Sequence, residues 1–414
     1  MNSVNQSAPP GKPFECTDAG NAERFVMRYG TEFRYCTEEK RWYTWREKRW
    51  EPIATEALYQ AATDTVRTIT GEINANSVNA GELSDWRHRS QSRERITAMI
   101  DLARGYLSIS KGVFDRDPYL LNCNNGTLDL KRWQFKQQHD RNDYITKLIP
   151  IDYDPNAQCP RWLRFLHEVF AVKPETVSFV QTAIGYSLTG DVKEEVFFLL
   201  YGAHRNGKGT LTGTLLRLLG EYGCTIDFDA LVAKRNAGGP KDDIARMNGK
   251  RFVVAHENRE GVRLAAEEVK LLTGGDKVSA RLLYQNSTEF DPTWKLWLSV
   301  NHKPIISSTD PAMWDRLVVV PFEVSFAGRE ERGLKQELLA ELPGILRWAV
   351  EGYRGYRDMG LKPPECVLEC SADYRRSMNP LGDFVEDECT VGNGLSVVGG
   401  GVISKVPGVF GGEW

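Results

Sequence analysis

Residues 202–210 combine glycines, an asparagine and a lysine at a spacing that suits a nucleotide phosphate. This segment, which we call the glycine loop, follows an apolar run at 196–200 and precedes a predicted helix at 211–219. Glycines let successive backbone N–H groups turn towards phosphate oxygens, the lysine adds positive charge at the β- and γ-phosphates, and a helix N-terminus favours the same anion. The pattern therefore predicts an ATP site formed by Gly202, Asn206, Gly207, Lys208, Gly209 and Thr210.

The position after Lys208 departs from the usual loop, because it is Gly209 and not serine or threonine. In loops of this kind the residue after the lysine supplies a hydroxyl ligand to Mg²⁺. We expect Thr210, one residue later, to take that role. Two other interpretations of the loop stay open: a glycine-rich turn that binds no ligand, and the loop of a nucleotide kinase, which also ends in Gly-Lys-Gly-Thr.

Two polar side chains follow apolar segments that read as strands further along the chain. Glu257 comes after the predicted strand 252–255, and Asn301 comes after the predicted strand 295–300. Open α/β sheets hold their ligands at the carboxyl ends of parallel strands. A carboxylate there can polarise the attacking water or hold Mg²⁺, and a neutral amide can orient that water or touch the γ-phosphate. The alternative for Glu257 is a solvated strand cap, and His256 stands where an aspartate is usual.

The segment between these two strands predicts an inserted hairpin. A helix ends at the Gly-Gly-Asp turn 274–276, a strand follows at 277–284, and a second strand lies near 288–290. Arg316 stands fifteen residues after Asn301 and directly before a further apolar strand at 317–322. The four apolar strands together predict a largely parallel sheet that is covered on both faces.

This order of motifs resembles the superfamily 3 helicases, specifically the C-terminal helicase module of the phage and plasmid primase family. The similar elements are the Asn-Gly-Lys of the glycine loop, the acidic strand end, the segment 270–281, the sensor asparagine and the arginine before the last strand. Segments 121–130 and 151–155 are similar to the domain that precedes the module in those proteins, and 342–349 and 379–385 to its helical extension. The resemblance covers roughly residues 18–388.

The resemblance implies an AAA+-like P-loop NTPase sheet with flanking helices, assembled as a homo-oligomeric ring, a hexamer. ATP would lie between neighbouring subunits, and Arg316 of one subunit would reach the γ-phosphate held by the next. The hairpin would contact single-stranded DNA through Lys277, Arg281 and Tyr284, since cations meet phosphates and an aromatic ring can stack on bases. A surface hairpin with solvated charges is the alternative. A separate primase or replication initiator is a further expected partner.

Length and composition limit the class of protein and the partners that it can have. The 414 residues are 41% hydrophobic and 26% charged, which is typical of a folded chain with more than one domain. The net charge of −3 gives no global attraction to nucleic acid, so binding would need a local patch. Scattered cysteines and the lack of a long apolar run favour a cytoplasmic protein without membrane contact.

The predicted organisation has five parts. A disordered N-terminus covers 1–15, a smaller α+β domain 16–189, the ATPase domain 190–330, a helical region 331–390 and a glycine-rich tail 391–414. No cluster of metal-binding carboxylates that would indicate a primase precedes residue 190, so we expect unwinding without primer synthesis. The rivals to a helicase are a nucleotide kinase-like phosphotransferase and a non-catalytic, nucleotide-gated DNA-binding scaffold.

Overall fold

The computed structural model describes residues 14–72, 80–233, 242–280, 288–307 and 310–378. Residues 1–13 of the N-terminus predicted to be disordered at 1–15, and the glycine-rich tail, lie outside the described residues. The chain divides into two compact units: the first contains residues 1–117 and 136–148, and the second contains 118–135 and 149–414.

The first unit is a small α+β structure. Its elements are α1 (Asp18–Tyr29), β1 (Phe33–Cys36), β2 (Arg41–Trp45), β3 (Trp50–Ile53), α2 (Glu56–Glu72), α3 (Ala80–Ser90), α4 (Arg93–Leu107) and β4 (Ser108–Ile109). The sheet has the order β3-β2-β1-β4, with β1 and β4 parallel and the other pairs antiparallel. The aromatic residues of this meander serve packing, because Trp42 and Trp50 are fully buried.

The second unit contains the glycine loop. Its elements up to the loop are β5 (Leu120–Cys123), β6 (Gly126–Asp129), β7 (Gln134–Lys136, which ends in the first unit), α5 (Pro160–Val169), α6 (Thr176–Ser187) and β8 (Phe197–Tyr201). After the loop come α7 (Lys208–Leu219), β9 (Gly223–Ile226), α8 (Asp242–Arg246), β10 (Phe252–Glu257), α9 (Ala266–Thr273), β11 (Val278–Ala280), β12 (Thr288–Phe290), β13 (Lys295–Val300), α10 (Pro311–Asp315), β14 (Leu317–Pro321), α11 (Leu334–Ala340), α12 (Leu342–Met359) and α13 (Glu365–Ser377).

Five parallel strands form the central sheet, in the order β14-β8-β13-β10-β9. Four of them are the strands predicted from apolar runs. The fifth, β9, escaped prediction because it is a short segment, Gly-Cys-Thr-Ile, with few apolar residues. Alternation along β8 shows that both faces are covered: Phe198 and Leu200 belong to one hydrophobic core, and Phe197 and Leu199 to the other.

Helices α6 and α12 cross closely against one face of this sheet. A Cβ added at Gly185 would lie 2.0 Å from the backbone N of Tyr353, and one at Gly352 would lie 2.1 Å from the carbonyl O of Gln181. Only glycine permits that approach. The boundary predicted near residue 190 falls inside the second unit, because α5 and α6 share a core with the sheet and with α12.

The predicted hairpin is present as β11 and β12, which pair antiparallel with Val278 opposite Phe290. The connection at 281–287 lies outside the described residues. Among the helices that the structure describes, none has the length and apolar character needed to cross a bilayer.

Candidate functional site

The glycine loop joins the end of β8 to the start of α7 at the carboxyl edge of the sheet. Gly207 caps α7 with φ +92°, and a Cβ there would lie 2.7 Å from Cγ2 of Val169. A Cβ at Gly202 would lie 2.2 Å from the carbonyl O of Phe322. The loop can therefore keep this path only with glycine at both positions.

Lys208 is the first residue of α7 and lies inside the loop. Its Nζ donates to the carbonyl O of Gly202 at 2.6 Å, to that of Ala203 at 2.9 Å and to Oδ1 of Asn206 at 3.0 Å. Only 6% of the residue is exposed, and burial lowers the pKa of its ammonium group to about 8. The loop thus holds the Lys208 ammonium group at the N-terminus of α7.

Asn301 connects this lysine to the neighbouring strands. Its Oδ1 accepts from Nζ of Lys208 at 3.1 Å, and its Nδ2 donates to Oδ1 of Asn258 at 2.6 Å and lies 3.3 Å from Nδ1 of His204. Its backbone N donates to the carbonyl O of Glu257 at 3.3 Å. The predicted asparagine therefore lies beside the glycine loop and forms a hydrogen-bonded link from Lys208 towards β10.

Glu257 ends β10, which is separated from β8 by β13, so the two strands lie about 10 Å apart. Its side chain is 6% exposed and contacts Arg259, whose Nη2 donates to Oε2 at 2.7 Å. The hydrogen bonds from Arg259 hold the pKa of the Glu257 carboxyl below its usual value. The same guanidinium also donates to the carboxylate of Asp229, which follows β9.

Arg316 does not lie with these residues. It directly precedes β14, whose first residue pairs with Phe197 at the amino end of β8. The glycine loop starts at the other end of β8, roughly 16 Å away for a strand of this length. The guanidinium instead donates to Oε2 of Glu195 at 2.5 Å and to the carbonyl O of Ala312 at 3.3 Å.

The three predicted DNA-contacting residues are only partly described. Lys277 is exposed and directly precedes β11. Arg281 and Tyr284 lie outside the described residues.

The residues predicted to hold Mg²⁺ have the right chemistry, since hydroxyl and carboxylate oxygens suit a hard cation. Thr210 is half-buried in the first turn of α7. A Cβ at Gly209, the position where a hydroxyl residue is usual, would meet no atom within 4 Å, so the space beside this residue is open. Within the described residues no group of three or more His, Cys, Asp or Glu side chains could hold a metal alone.

Sequence reasoning missed several neighbours of this site. A cavity of about 390 Å³ adjoins the glycine loop and is lined in part by Tyr201, Phe322, Lys303 and Asp373. Tyr201 ends β8 and Phe322 directly follows β14, whereas Lys303 lies three residues beyond β13 and Asp373 lies in α13, so no local spacing relates them. Arg259 could have been found, because it lies two positions after Glu257.

Fold and site together define a class: an α/β protein whose parallel sheet gathers a glycine loop, a buried lysine, an asparagine and a glutamate at its carboxyl edge. Two family models match the chain. One is described as D5 N terminal like and matches residues 22–171, and the other is a family of unknown function, DUF5906, that matches residues 200–316.

Curated relatives are viral proteins. The chain is 24% identical over 394 residues to "Putative helicase L207/L206" of Acanthamoeba polyphaga mimivirus, covering 84% of this chain and 40% of the relative. It is 32% identical over 247 residues to "Putative helicase 022R" of Frog virus 3, covering 54% and 25%. It is 25% identical over 209 residues to "Putative primase C962R" of African swine fever virus (isolate Tick/Malawi/Lil 20-1/1983), covering 49% and 22%. The chain spans less than half the length of each.

A solved structure shares the fold. The apo structure of the C-terminal region of NrS-1 superposes with a TM-score of 0.55 at 12% identity, covering 86% of this chain and 74% of that one. The family models and the viral relatives support the resemblance to the phage-type primase-helicase family that the motifs predict.

Proposed function

We propose that this chain is a superfamily 3 helicase module: a P-loop ATPase that works as a ring and moves along single-stranded DNA in the replication of a phage, prophage or plasmid element. One observation carries the proposal. Lys208 lies buried in a glycine loop at the carboxyl edge of a parallel sheet and donates a hydrogen bond to Asn301, which directly follows the adjoining strand β13. The helicase and primase names of the relatives support it.

Residues of the glycine loop and of the neighbouring strand ends have proposed roles in binding and hydrolysing ATP. Lys208 exchanges its contacts with the loop carbonyls for phosphate oxygens, and the N–H groups at the start of α7 donate to the same anion. Thr210 and Glu257 would hold Mg²⁺, which when bound neutralises charge on the phosphates. Glu257 polarises the attacking water, and Asn301 orients it.

The position of Arg316 supports action between subunits. Because Arg316 lies at the amino edge of the sheet, it cannot reach the glycine loop of its own chain. In a ring, one subunit's amino edge would face its neighbour's glycine loop, and Arg316 would then stabilise charge on the transferred phosphoryl group. An arginine supplied in this way contributes a rate factor of about 10³ or more in related enzymes. The ring is taken to be a hexamer.

DNA contact is assigned to the β11–β12 hairpin. Lys277 is exposed at its start, and we assign the remaining contacts to Arg281 and Tyr284. Basic side chains of the hairpin would bind the phosphate backbone of the DNA, and the aromatic ring would stack on bases, so binding would not depend on the DNA sequence. The protein's small net negative charge makes such a local contact necessary.

The test is ATP hydrolysis with and without single-stranded DNA. Hydrolysis should be stimulated by DNA and lost in Lys208→Ala, Glu257→Gln and Arg316→Ala, with Arg246→Gln, a surface residue on α8, as control. Transfer of phosphate to a nucleotide acceptor would instead show a kinase. Unchanged rates of ATP hydrolysis in all three variants would contradict the catalytic role and favour the non-catalytic, nucleotide-gated scaffold. Primer formation on a single-stranded template would contradict unwinding without synthesis.

Mixing two inactive variants tests whether Arg316 acts on the ATP bound by a neighbouring subunit. Lys208→Ala subunits cannot bind ATP productively but carry Arg316, and Arg316→Ala subunits carry an intact glycine loop. Mixed rings should regain part of the activity that neither variant has alone. Failure to regain activity, with assembly confirmed by mass measurement, would contradict an arginine acting between subunits.

A further inference from the structure

Hydrogen bonds occupy every acceptor position of the Glu257 carboxylate. Oε1 accepts from the backbone N of Asn258 at 2.8 Å and of Arg259 at 2.7 Å, and from Nε of Arg259 at 3.1 Å. Oε2 accepts from Nε of Arg259 at 3.1 Å and from its Nη2 at 2.7 Å. A carboxylate offers about four lone-pair positions in all. Neither a metal ion nor an attacking water can use this carboxylate while the Arg259 side chain stays in place.

The contacts differ in how readily they can be released. The two backbone donors belong to the residues directly after β10 and are fixed by the chain path. The Arg259 side chain is long, and 59% of it is exposed. Only the guanidinium can therefore leave without a change in the backbone.

A second acceptor for that guanidinium is already in place. Nη2 of Arg259 donates to Asp229 as well as to Glu257, so the cation bridges two carboxylates. Asp229 lies just beyond β9, the strand that pairs with β10, and its side chain is 47% exposed. Arg259 can thus release Glu257 and keep a charged partner, which limits the cost of the movement.

We propose that Arg259 is a positioning residue that restrains Glu257 in the nucleotide-free protein and moves fully onto Asp229 when Mg²⁺ and ATP bind. The restraint keeps the site from hydrolysing ATP until the bound nucleotide competes for Glu257. The proposal rests on the assignment of Glu257 as the acidic residue of an ATP site.

Two substitutions should act in opposite directions. Arg259→Gln removes the restraint, so binding of a non-hydrolysable ATP analogue with Mg²⁺ should tighten about fivefold, the equivalent of one moderately exposed charged contact. Hydrolysis without DNA should rise by a similar factor. Asp229→Asn removes the alternative charged partner and should weaken Mg²⁺-dependent binding. Arg259→Lys keeps the charge but loses the two-pronged contact, and should fall between Arg259→Gln and the parent.

Controls separate this proposal from a surface ion pair. Arg246→Gln breaks a comparably exposed pair with Asp243 and should change neither quantity. Analogue binding in EDTA should be the same in all variants, because the restraint acts only on a residue that would contact the metal. Equal Mg²⁺-dependent affinities for Arg259→Gln and parent would overturn the proposal, as would a loss of hydrolysis like that of Glu257→Gln.

The binding measurement does not require turnover. If the parent binds the analogue but hydrolyses no ATP, the proposed function fails while the restraint is still tested by the affinity changes. If hydrolysis proceeds as proposed and the two variants shift affinity in the same direction, the restraint alone fails.

Discussion

Gly207 and Gly209 flank Lys208 and offer a matched pair of alanine substitutions with opposite expected effects. At Gly207 the backbone has φ +92°, and an added Cβ would lie 2.7 Å from Cγ2 of Val169. A left-handed conformation costs a non-glycine residue about 1 to 2 kcal/mol, and overpacking adds about 1 to 3 kcal/mol. We expect Gly207→Ala to lower the free energy of unfolding by about 2 to 5 kcal/mol or to displace the loop.

Gly209 is the second residue of α7, and a Cβ there would meet nothing within 4 Å. Alanine favours the helix over glycine by up to about 1 kcal/mol, so Gly209→Ala should be neutral or slightly stabilising. Urea unfolding of both variants gives the stabilities, and a fluorescent ATP analogue reports the loop. Gly207→Ala should bind at least tenfold more weakly (about 1.4 kcal/mol), and Gly209→Ala should bind like the parent, because Thr210 remains.

The steric part of the Gly207 effect can be isolated. Val169→Ala removes the methyl group that the new Cβ would contact, so the double variant should be less destabilised than the sum of the single variants by about 1 kcal/mol. Additive losses would show that only backbone strain operates. Equal stability and equal nucleotide binding of Gly207→Ala and Gly209→Ala would refute the loop geometry on which the site is built.

Three further predictions concern metal, motif and pH. Removal of Mg²⁺ with EDTA should abolish hydrolysis, measured by phosphate release, while analogue binding to the glycine loop persists; hydrolysis in EDTA would contradict a metal-assisted site. Thr210→Ala should weaken Mg²⁺-dependent binding about tenfold, and adding Gly209→Ser should restore it, since the space there is open; no loss in Thr210→Ala would exclude Thr210 as a ligand. Lys295 is buried, donates to the carbonyl O of Thr189 and of Asp191, and has a pKa lowered well below normal by burial. Between that lowered pKa and its usual value this residue binds more protons in the unfolded chain, so the free energy of unfolding should rise with pH by up to about 1.4 kcal/mol per unit. In urea titrations at about pH 7 and pH 9 the rise should be smaller in Lys295→Met, where the lowered pKa of Lys208 still contributes to it; equal slopes would contradict the prediction.

The sequence predicted the strands that carry the site because each is a short, fully buried apolar run. Parallel strands covered on both faces lack alternation, and the runs at 196–200, 252–255, 295–300 and 317–322 all have this character. Strand β9 is not such a run and was missed. The strand order β14-β8-β13-β10-β9 could not be predicted from the sequence, because strands that are neighbours in the sheet are not consecutive in the chain.

The sequence by itself determined the types and order of the chemical groups: glycines and a lysine after one strand, a glutamate after a second, an asparagine after a third. These are local properties of composition and spacing. Tertiary structure decided which groups meet, because β13 lies between β8 and β10 and so brings Asn301 to Lys208, whereas Arg316 is left at the opposite edge of the sheet. It also decided that Arg259 covers Glu257 and reaches Asp229, since that bridge exists only once β9 and β10 are paired.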